Sequence, residues 1–213
     1  MHNLTKPLKV IAFNGSPNKK GNTFHLIQHM FKKFNQLKVE TELVQIGSEK
    51  VYGCRACGKC GEMKNYRCII EKDSVNKSIE KIRKSDGIIL ATPVYLAGPT
   101  GRMKCFIDRV GYVARHNYNE EGHSFLWHKA CSGVSVHARG GATNTLSQLN
   151  YLFSICGGIT TGSISWNYGV GHKPGDVLKD QFGLNNMDDL ATEMFNLMRM
   201  VRQDQLLSQE KEN

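Results

Sequence analysis

The spacing of hydrophobic positions near the start of the chain changes from a nearly continuous run to a helical repeat. Leu8 to Phe13 form a mostly apolar run of the length typical of a buried strand. After a polar stretch from Asn14 to Thr23, apolar residues recur three and four positions apart, at Phe24, Ile27, Met30, Phe31 and Phe34. This spacing places them on one face of a helix. The pattern therefore predicts a strand, a polar turn and an amphipathic helix in succession.

The same alternation of strand and helix patterns continues along the chain. Further strands are predicted at Lys38–Ile46, Asp86–Thr92, Lys129–His137 and Ile159–Ser165. Further helices are predicted at Ser74–Lys84, Met103–Arg115, Thr143–Ile155 and about Asn186–Leu207. Strands that alternate with helices build a parallel sheet, and right-handed crossovers place helices on both faces where the winding reverses. The predicted fold class is α/β, a doubly wound five-stranded parallel sheet.

A ligand site is expected at one edge of this sheet. In doubly wound parallel sheets, ligands bind outside the carboxyl ends of the strands. Three predicted loops follow strands at that edge: the first loop, Asn14–Thr23, the second loop, Pro93–Arg102, and the third loop, Ala138–Thr143. We expect these three loops to converge.

Length and charge narrow the class of protein. The 213 residues are enough for one well-buried core, so a single domain spanning 1–213 is predicted, with an irregular glycine-rich segment at 166–185. No apolar stretch is long enough to span a bilayer, and the N-terminus lacks the apolar core of a signal peptide, so a cytoplasmic protein without membrane association is expected. The net charge of +9 is spread without a basic block. This argues against nucleic-acid binding and favours anionic cofactors or acidic redox partners.

The first loop has the composition of a phosphate-binding loop. Its glycines and small polar residues can close around an anion at the N-terminus of the following helix. Gly15 and Gly21 enclose five residues rather than the four of a Walker A loop, and the dinucleotide fingerprint G-x-G-x-x-G is absent. A single terminal phosphate fits this loop best. The alternative is an ordinary strand-to-helix turn in which Asn22 or Thr23 caps the helix.

Four of the seven cysteines lie in one loop, at 53–69, which we call the cysteine loop. They follow the pattern C-x2-C-x2-C-x7-C at Cys54, Cys57, Cys60 and Cys68. Repeated two-residue spacing is typical of cubane iron-sulfur ligation, with zinc or no metal as the alternatives. The wide gap before Cys68 makes it the weakest of the four from spacing alone. The other three cysteines are expected to be buried among apolar neighbours: Cys105, Cys131 and Cys156.

Taken together, these segments resemble those of a known family, the flavodoxin-like NAD(P)H-dependent FMN reductases. Three segments carry the resemblance and occur in the order of that family: Gly15-Ser16-Pro17 to Gly21-Asn22-Thr23, Thr92-Pro93-Val94-Tyr95, and Gly98 to Asp108. With its cysteine run, the chain is most similar to the iron-sulfur flavoproteins within the family. The resemblance implies the flavodoxin-like strand order 2-1-3-4-5. It also implies an FMN whose phosphate lies on the first loop and whose isoalloxazine lies between the second and third loops.

The resemblance further implies which residues bind the cofactors. The FMN-binding residues would be Ser16, Asn18, Gly21, Asn22 and Thr23 in the first loop, Pro93, Val94, Tyr95 and Leu96 in the second, and Ala138, Arg139, Gly140 and Gly141 in the third. A [4Fe-4S] cluster would be held by Cys54, Cys57, Cys60 and Cys68. No catalytic residue of the protein is required, because the flavin carries the redox chemistry.

The function implied is electron transfer through FMN and a [4Fe-4S] cluster. NAD(P)H or ferredoxin would donate electrons, and a small acceptor such as flavin, quinone, dioxygen or peroxide would receive them. The resemblance also implies a homodimer or homotetramer. Two alternatives stay open: a cluster-free NAD(P)H-dependent FMN or quinone reductase, and a non-catalytic electron carrier like flavodoxin.

Overall fold

The computed structural model describes residues 6–212, with side chains up to residue 208. Within this range, strands and helices alternate as the hydrophobic pattern predicts. The strands are β1 (Lys9–Asn14), β2 (Glu40–Gln45), β3 (Gly87–Pro93), β4 (Ala130–His137), β5 (Ile159–Thr160) and β6 (Tyr168–Val170). The α-helices are α1 (Asn22–Gln36), α2 (Lys59–Met63), α3 (Val75–Arg83), α4 (Gly101–His116), α5 (Ala142–Ile155) and α6 (Gln181–Glu212), with a short 3-10 helix at Asp176–Lys179.

The strands form one parallel sheet in the order β2-β1-β3-β4-β5, which confirms the predicted flavodoxin-like order. In the centre of the sheet, Ala12 of β1 lies opposite Leu43 of β2 and Ile89 of β3. The chain starts in β1, moves outward to β2, and then crosses back to β3 and β4. The reversal beside β1 is the switch point at which such sheets bind ligands.

Both faces of the sheet are covered by helices, because the central strands are apolar at successive positions. Val10 and Ala12 of β1 belong to a core that includes α1 and α6. Ile11 and Phe13, the alternate residues of the same strand, belong to a second core with α3, α4 and α5. The two cores hold β1 and β3 rigidly, so the loops at their carboxyl ends start from fixed positions.

The edge of the sheet beyond β4 differs from the prediction. The predicted fifth strand, Ile159–Ser165, ends at Thr160, and a separate strand, β6, pairs with the carboxyl-terminal half of β4. Between these strands the Asn167 side chain donates to Ser132 Oγ at 3.0 Å and to the Thr161 carbonyl at 3.2 Å. These contacts replace strand pairing with side-chain hydrogen bonds. The glycine-rich segment at 166–185 therefore contains more regular structure than its composition predicts.

The last helix, α6, begins at Gln181 and is longer than the predicted Asn186–Leu207. Its buried residues, such as Met187, Leu190 and Met194, pack against α1 and the sheet. Across residues 6–212, the helices all fall short of the combined length and apolarity that crossing a bilayer requires.

Candidate functional site

A cavity of about 310 Å³ lies at the carboxyl ends of β1, β3 and β4, where the three loops were expected to converge. We call it the edge cavity. Its lining comes from all three loops and from the glycine-rich segment: Ser16, Asn18, Gly21, Asn22, Thr23, Pro93, Val94, Tyr95, Val136, His137, Ala138, Gly171, His172 and Pro174. Nine of the thirteen residues predicted to bind FMN are in this lining. The volume is at the lower end of the range typical of ligand sites, about 300 to 1,000 Å³.

The first loop is shaped by hydrogen bonds from its own side chains. Asn14 Oδ1 accepts from the Ser16 amide at 3.0 Å, Ser16 Oγ accepts from the Asn18 amide at 3.1 Å, and Asn18 Oδ1 accepts from the Lys20 amide at 3.1 Å. Each bond spans two residues, the pattern by which Asn and Ser form tight local turns. The polar side chains of the first loop therefore curve the backbone around the N-terminus of α1.

The N-terminus of α1 opens into the edge cavity without a capping side chain. Its N-cap residue is Gly21, no side chain caps the helix, and its first turn contains no acidic residue. The alternative interpretation, in which Asn22 or Thr23 caps the helix, therefore does not hold. Because the first amides of a helix lack intrahelical acceptors and carry a partial positive charge, this end is suited to an anion.

The side chain of Asn22 has a different role from the predicted contact with phosphate. Its Nδ2 donates to the Lys173 carbonyl at 2.9 Å, and its Oδ1 accepts from the Gly175 amide at 2.8 Å and from the Val177 amide at 3.3 Å. A Cβ on Gly171 would come within 2.8 Å of Asn22 Nδ2, so only glycine allows this close approach. Asn22 thus fastens the glycine-rich segment to the start of α1, beside the cavity.

The second loop turns sharply after β3. Tyr95 and Gly98 exchange backbone hydrogen bonds at 2.9 and 3.0 Å, and the two residues between them, Leu96 and Ala97, have left-handed backbone angles. Such angles in residues other than glycine are strained and are common at functional sites. Leu96 is fully exposed at the tip and lies outside the lining of the cavity. Thr100 ties this loop to the first, because its hydroxyl donates to the Gly15 carbonyl at 2.7 Å.

The third loop contributes less to the cavity than predicted. Ala138 lines it, but Arg139 and Gly140 are exposed outside the lining. Gly141, with φ of 82°, is the N-cap of α5, and a Cβ there would lie 3.0 Å from Ala97 Cα. Gly141 therefore permits close contact between the second and third loops. None of these three residues is in the lining of the edge cavity.

His137 is the main residue of the cavity that the sequence prediction missed. It ends β4, and neither of its buried ring nitrogens has a hydrogen-bond partner among the residues that the structure describes. Its ring meets Tyr168 of β6 edge-on, with ring centroids 4.9 Å apart. Its position at the carboxyl end of a central strand was the available signal. Gly171, His172 and Pro174 were also missed, although the length of their irregular segment indicated a functional loop.

A second, narrow cavity gathers the four cysteines of the cysteine loop. Cys54, Cys57, Cys60 and Cys68 line it together with Arg109. Burial raises the pKa of the Cys60 thiol, and the nearby Cys68 and Cys54 thiols raise it further. In the described part of the chain, no three Cys, His, Asp or Glu side chains are arranged around a single metal ion. The cavity therefore offers four soft sulfur ligands in one place, including Cys68, without the geometry of a single-ion site.

Buried polar side chains hold the backbone around this cavity. Asn76 accepts from the Cys68 amide and donates to the Cys68 carbonyl, both at 2.8 Å. Asn117 donates to the Cys60 carbonyl at 3.1 Å and accepts from the Tyr66 amide at 2.7 Å. These bonds tie the backbone at Cys68 to α3 and the backbone at Cys60 to the C-cap of α4. The gap before Cys68 is thus closed by tertiary contacts rather than by local spacing.

An ion pair with no solvent exposure joins the two ends of the cysteine loop. Arg109 of α4 pairs with Asp73, and both side chains are 0% exposed. Arg109 also donates to the Ile70 carbonyl at 2.7 Å, while Asp73 accepts from the Tyr52 amide at 3.0 Å. The pair therefore clamps the chain on both sides of the cysteines.

Two of the remaining cysteines are buried as predicted. Burial raises the pKa of the Cys131 thiol strongly and that of the Cys156 thiol to about 11. Cys105 is only partly buried, in contrast to the prediction. Thiols with raised pKa values are unreactive near neutral pH, so the two buried cysteines serve packing.

Known proteins are similar to this chain in sequence. The sequence model described as NADPH-dependent FMN reductase matches residues 8–173. An iron-sulfur flavoprotein of Methanocaldococcus jannaschii is 28% identical over 205 residues, covering 92% of this chain and 100% of the relative. The iron-sulfur flavoprotein of Methanosarcina thermophila is 27% identical over 199 residues, covering 92% of this chain and 98% of the relative.

Solved structures show the same fold at lower identity. RosB superposes with a TM-score of 0.71 at 15% identity, covering 97% of this chain and 88% of RosB. The Trp repressor binding protein of Bacillus subtilis gives a TM-score of 0.59 at 21% identity, covering 85% of this chain and 96% of that protein. These similarities establish the flavodoxin-like fold.

Proposed function

The chain belongs to the NADPH-dependent FMN reductase family and is an FMN-dependent oxidoreductase, and we propose that it binds FMN in the edge cavity and a [4Fe-4S] cluster in the cysteine cavity. The observation that carries the FMN proposal is the open N-terminus of α1 inside a cavity lined by all three predicted loops. The cluster proposal rests on the four cysteines around one narrow cavity.

The residues of the edge cavity fit the two ends of FMN. The amides at the start of α1, with the Ser16 and Thr23 side chains, would hold the phosphate, because they supply donors without a competing carboxylate. The apolar residues of the second loop and Ala138 would contact the ring system. The unpartnered nitrogens of His137 fit a polar group of the ligand. The proposed set omits four predicted residues that lie outside the lining: Leu96, Arg139, Gly140 and Gly141.

FMN supplies the redox chemistry when bound, since a flavin exchanges electrons both in pairs and singly. The protein positions the cofactor and controls access to it. NAD(P)H or ferredoxin is the proposed donor, and flavin, quinone, dioxygen or peroxide the proposed acceptor. The net charge of +9 supports an acidic protein or an anionic nucleotide as donor, because opposite charges speed association.

Phosphate recognition by the first loop can be tested with Ser16→Asp. Ser16 is buried in the lining, and its Oγ already accepts a backbone hydrogen bond that an aspartate could also accept. The new carboxylate would repel the phosphate of FMN, so we expect FMN affinity to fall about 100-fold or more. Riboflavin, which lacks the phosphate, is the matched ligand control and should lose far less affinity. Equal losses for both ligands, measured by fluorescence quenching, would contradict phosphate binding at this loop.

The cluster can be tested by anaerobic reconstitution with iron and sulfide, followed by metal and sulfide analysis and a visible spectrum before and after dithionite. We expect about four irons per chain. Cys68→Ser should lower the iron content or destabilise the cluster. The matched control is Cys105→Ser, because Cys105 is half-buried nearby but does not line the cavity. Wild-type protein that holds no iron and sulfide would favour the cluster-free NAD(P)H-dependent reductase.

Turnover separates the enzyme from a flavodoxin-like carrier. The FMN-loaded protein would be assayed for NADH and NADPH oxidation with flavin, quinone and dioxygen as acceptors. We expect turnover with at least one donor and acceptor pair. Absence of turnover with both nucleotides, together with rapid electron exchange with ferredoxin, would instead indicate a ferredoxin-linked carrier.

A further inference from the structure

The lining of the cysteine cavity contains two cations and, among the residues that the structure describes, no carboxylate. The two cations are Arg55 and Arg109, and the rest of the lining consists of the four cysteines and of uncharged residues: Gly58, Ile69, Ile70, Tyr112 and Val113. Arg55 is exposed, whereas the side chain of Arg109 is 0% exposed. Water therefore screens the charge of Arg55 and leaves that of Arg109 almost unscreened. A buried cation beside four thiols is suited to an anionic occupant of the cavity.

The guanidinium of Arg109 has one nitrogen without an acceptor. Its Nη1 pairs with Asp73, and its Nη2 donates to the Ile70 carbonyl at 2.7 Å. Its Nε is buried and has no hydrogen-bond partner in the described part of the chain. Buried donors are nearly always paired, because an unpaired donor has lost its hydrogen bonds to water without replacement. Since Arg109 lines the cysteine cavity, a sulfur atom of a cluster held there fits this donor.

Asp73 balances the charge of Arg109 from outside the cavity. Its carboxylate accepts from the Tyr52 amide at 3.0 Å and from the Val75 amide at 3.2 Å, and it is not part of the lining. These bonds hold the carboxylate against Nη1 of Arg109. The cavity is therefore bordered by the cation of the buried pair and not by its anion, while the pair as a whole keeps the guanidinium stable away from water.

The position of Arg109 has a consequence for electron transfer. A [4Fe-4S] cluster with four thiolate ligands is an anion, and reduction by one electron adds a further negative charge to it. A nearby cation and a hydrogen bond to sulfur both stabilise the reduced form more than the oxidised form. We propose that Arg109 raises the reduction potential of the cluster, with its Nε donating to a sulfur and its charge favouring the reduced form. This role rests on the proposed cluster and assigns control of its potential to a residue outside the ligand set.

The reduction potential can be measured on the full chain loaded with FMN and reconstituted with iron and sulfide, by titration with dithionite and EPR of the reduced cluster. Asp73→Asn leaves the Arg109 cation without its counter-charge and should raise the potential. Asp73→Asn/Arg109→Gln removes both charges and the Nε donor. We expect this double variant to lower the equilibrium constant for reduction about tenfold or more, which is about 59 mV for one electron. Opposite shifts separate the effect of charge from that of a loosened loop, because loosening would move both potentials in the same direction.

The matched control is Arg55→Gln. It removes the same charge from the same lining, but at an exposed position. Because water and salt screen that charge, we expect the equilibrium constant for reduction to change by less than about threefold. Circular dichroism and the iron content per chain would confirm that each variant is folded and loaded.

A second measurement keeps Arg109 and Asp73 unchanged. Wild-type protein with an isotope label on the arginine Nε would be reduced and studied by pulsed EPR. We expect a weak coupling between the cluster spin and one labelled nitrogen, and the same coupling in Arg55→Gln.

The outcomes separate this role from the cluster itself. A wild type that takes up no iron and sulfide would contradict the cluster and the role of Arg109 together. A loaded wild type whose potential moves in the same direction in both Asp73 variants, or does not move, would overturn the role of Arg109 alone. So would the absence of the nitrogen coupling, which also decides the question if a variant fails to retain its cluster.

Discussion

The buried pair of Arg109 and Asp73 allows a sharp test of how the cysteine loop is held. Asp73→Asn keeps the size of the side chain, and its single oxygen can take the place of the carboxylate oxygen that accepts from the Tyr52 amide, while the oxygen that accepts from the Val75 amide is lost. It therefore removes the negative charge and one local hydrogen bond. Because both side chains are 0% exposed, the guanidinium of Arg109 is left as an uncompensated charge away from water.

The expected magnitude follows from this burial. Removing one partner of a buried ion pair costs about 3–5 kcal/mol in the free energy of unfolding. For a chain of this size, each kcal/mol corresponds to about 2–4 °C in melting temperature. We therefore expect Asp73→Asn to lower the melting temperature by about 6–20 °C.

The assay is thermal unfolding followed by circular dichroism, at low and high salt. The control is Glu80→Gln, which breaks the pair between Glu80 and Arg67 on the surface, where the side chains are 50% and 40% exposed. That pair should contribute no more than about 1 kcal/mol, and salt should weaken its contribution. The loss from Asp73→Asn should persist at high salt. If Asp73→Asn melted within about 2 °C of Glu80→Gln, the smallest shift expected from 1 kcal/mol, the buried pair would not clamp the cysteine loop.

Three further predictions concern single side chains. Asn22→Ala should weaken FMN binding about tenfold, because it releases the glycine-rich segment from α1 at a cost of about 1–2 kcal/mol. An unchanged dissociation constant for FMN would contradict the role of Asn22 in holding that segment beside the cavity. Because the pKa of Cys156 is raised to about 11, its alkylation by iodoacetamide in cofactor-free protein should be far slower than that of exposed Cys57. The alkylation rate of Cys156 should rise about tenfold per pH unit from pH 8 to 10. Equal labelling of the two cysteines in mass spectra would contradict the burial of Cys156. Hydrogen bonds from Lys81 and Lys9 lower the pKa of Glu42 below its usual 4.5, so its stabilising effect is present above that value and is lost as pH falls through the lowered pKa. Denaturant titrations from neutral to acid pH should therefore show a smaller loss of stability in Glu42→Gln than in wild type, and identical losses would refute the coupling.

The sequence was sufficient where structure depends on local interactions. The run of β1, the turn after it and the amphipathic α1 lie where the pattern predicts, because strand burial, turn hydrogen bonds and helix spacing involve residues close together in the chain. The strand order also matched the order implied by family resemblance. The function class followed from the same segments, whose similarity to the FMN reductase family covers residues 8–173.

The prediction of the cavity lining was weaker where distant segments meet. Gly175 reaches Asn22 across 153 positions, and no spacing rule predicts that contact. Leu96 and Arg139 were assigned to the site through the family resemblance, and in the structure both are exposed outside the lining, Leu96 within the tight turn that follows Tyr95. His137 lines the cavity because β4 ends there, one residue before the predicted loop.

By itself, the sequence determined the parallel α/β class, the polar turn before α1 and the spacing of the cysteines, because each is a short-range pattern of polarity and residue type. Only the tertiary structure decided that Cys68 joins the other three cysteines and that Arg109 and Asp73 clamp their loop. The reason is physical: burial and long-range hydrogen bonds depend on which elements pack together, and the chain acquires those neighbours only when the sheet and its helices have assembled.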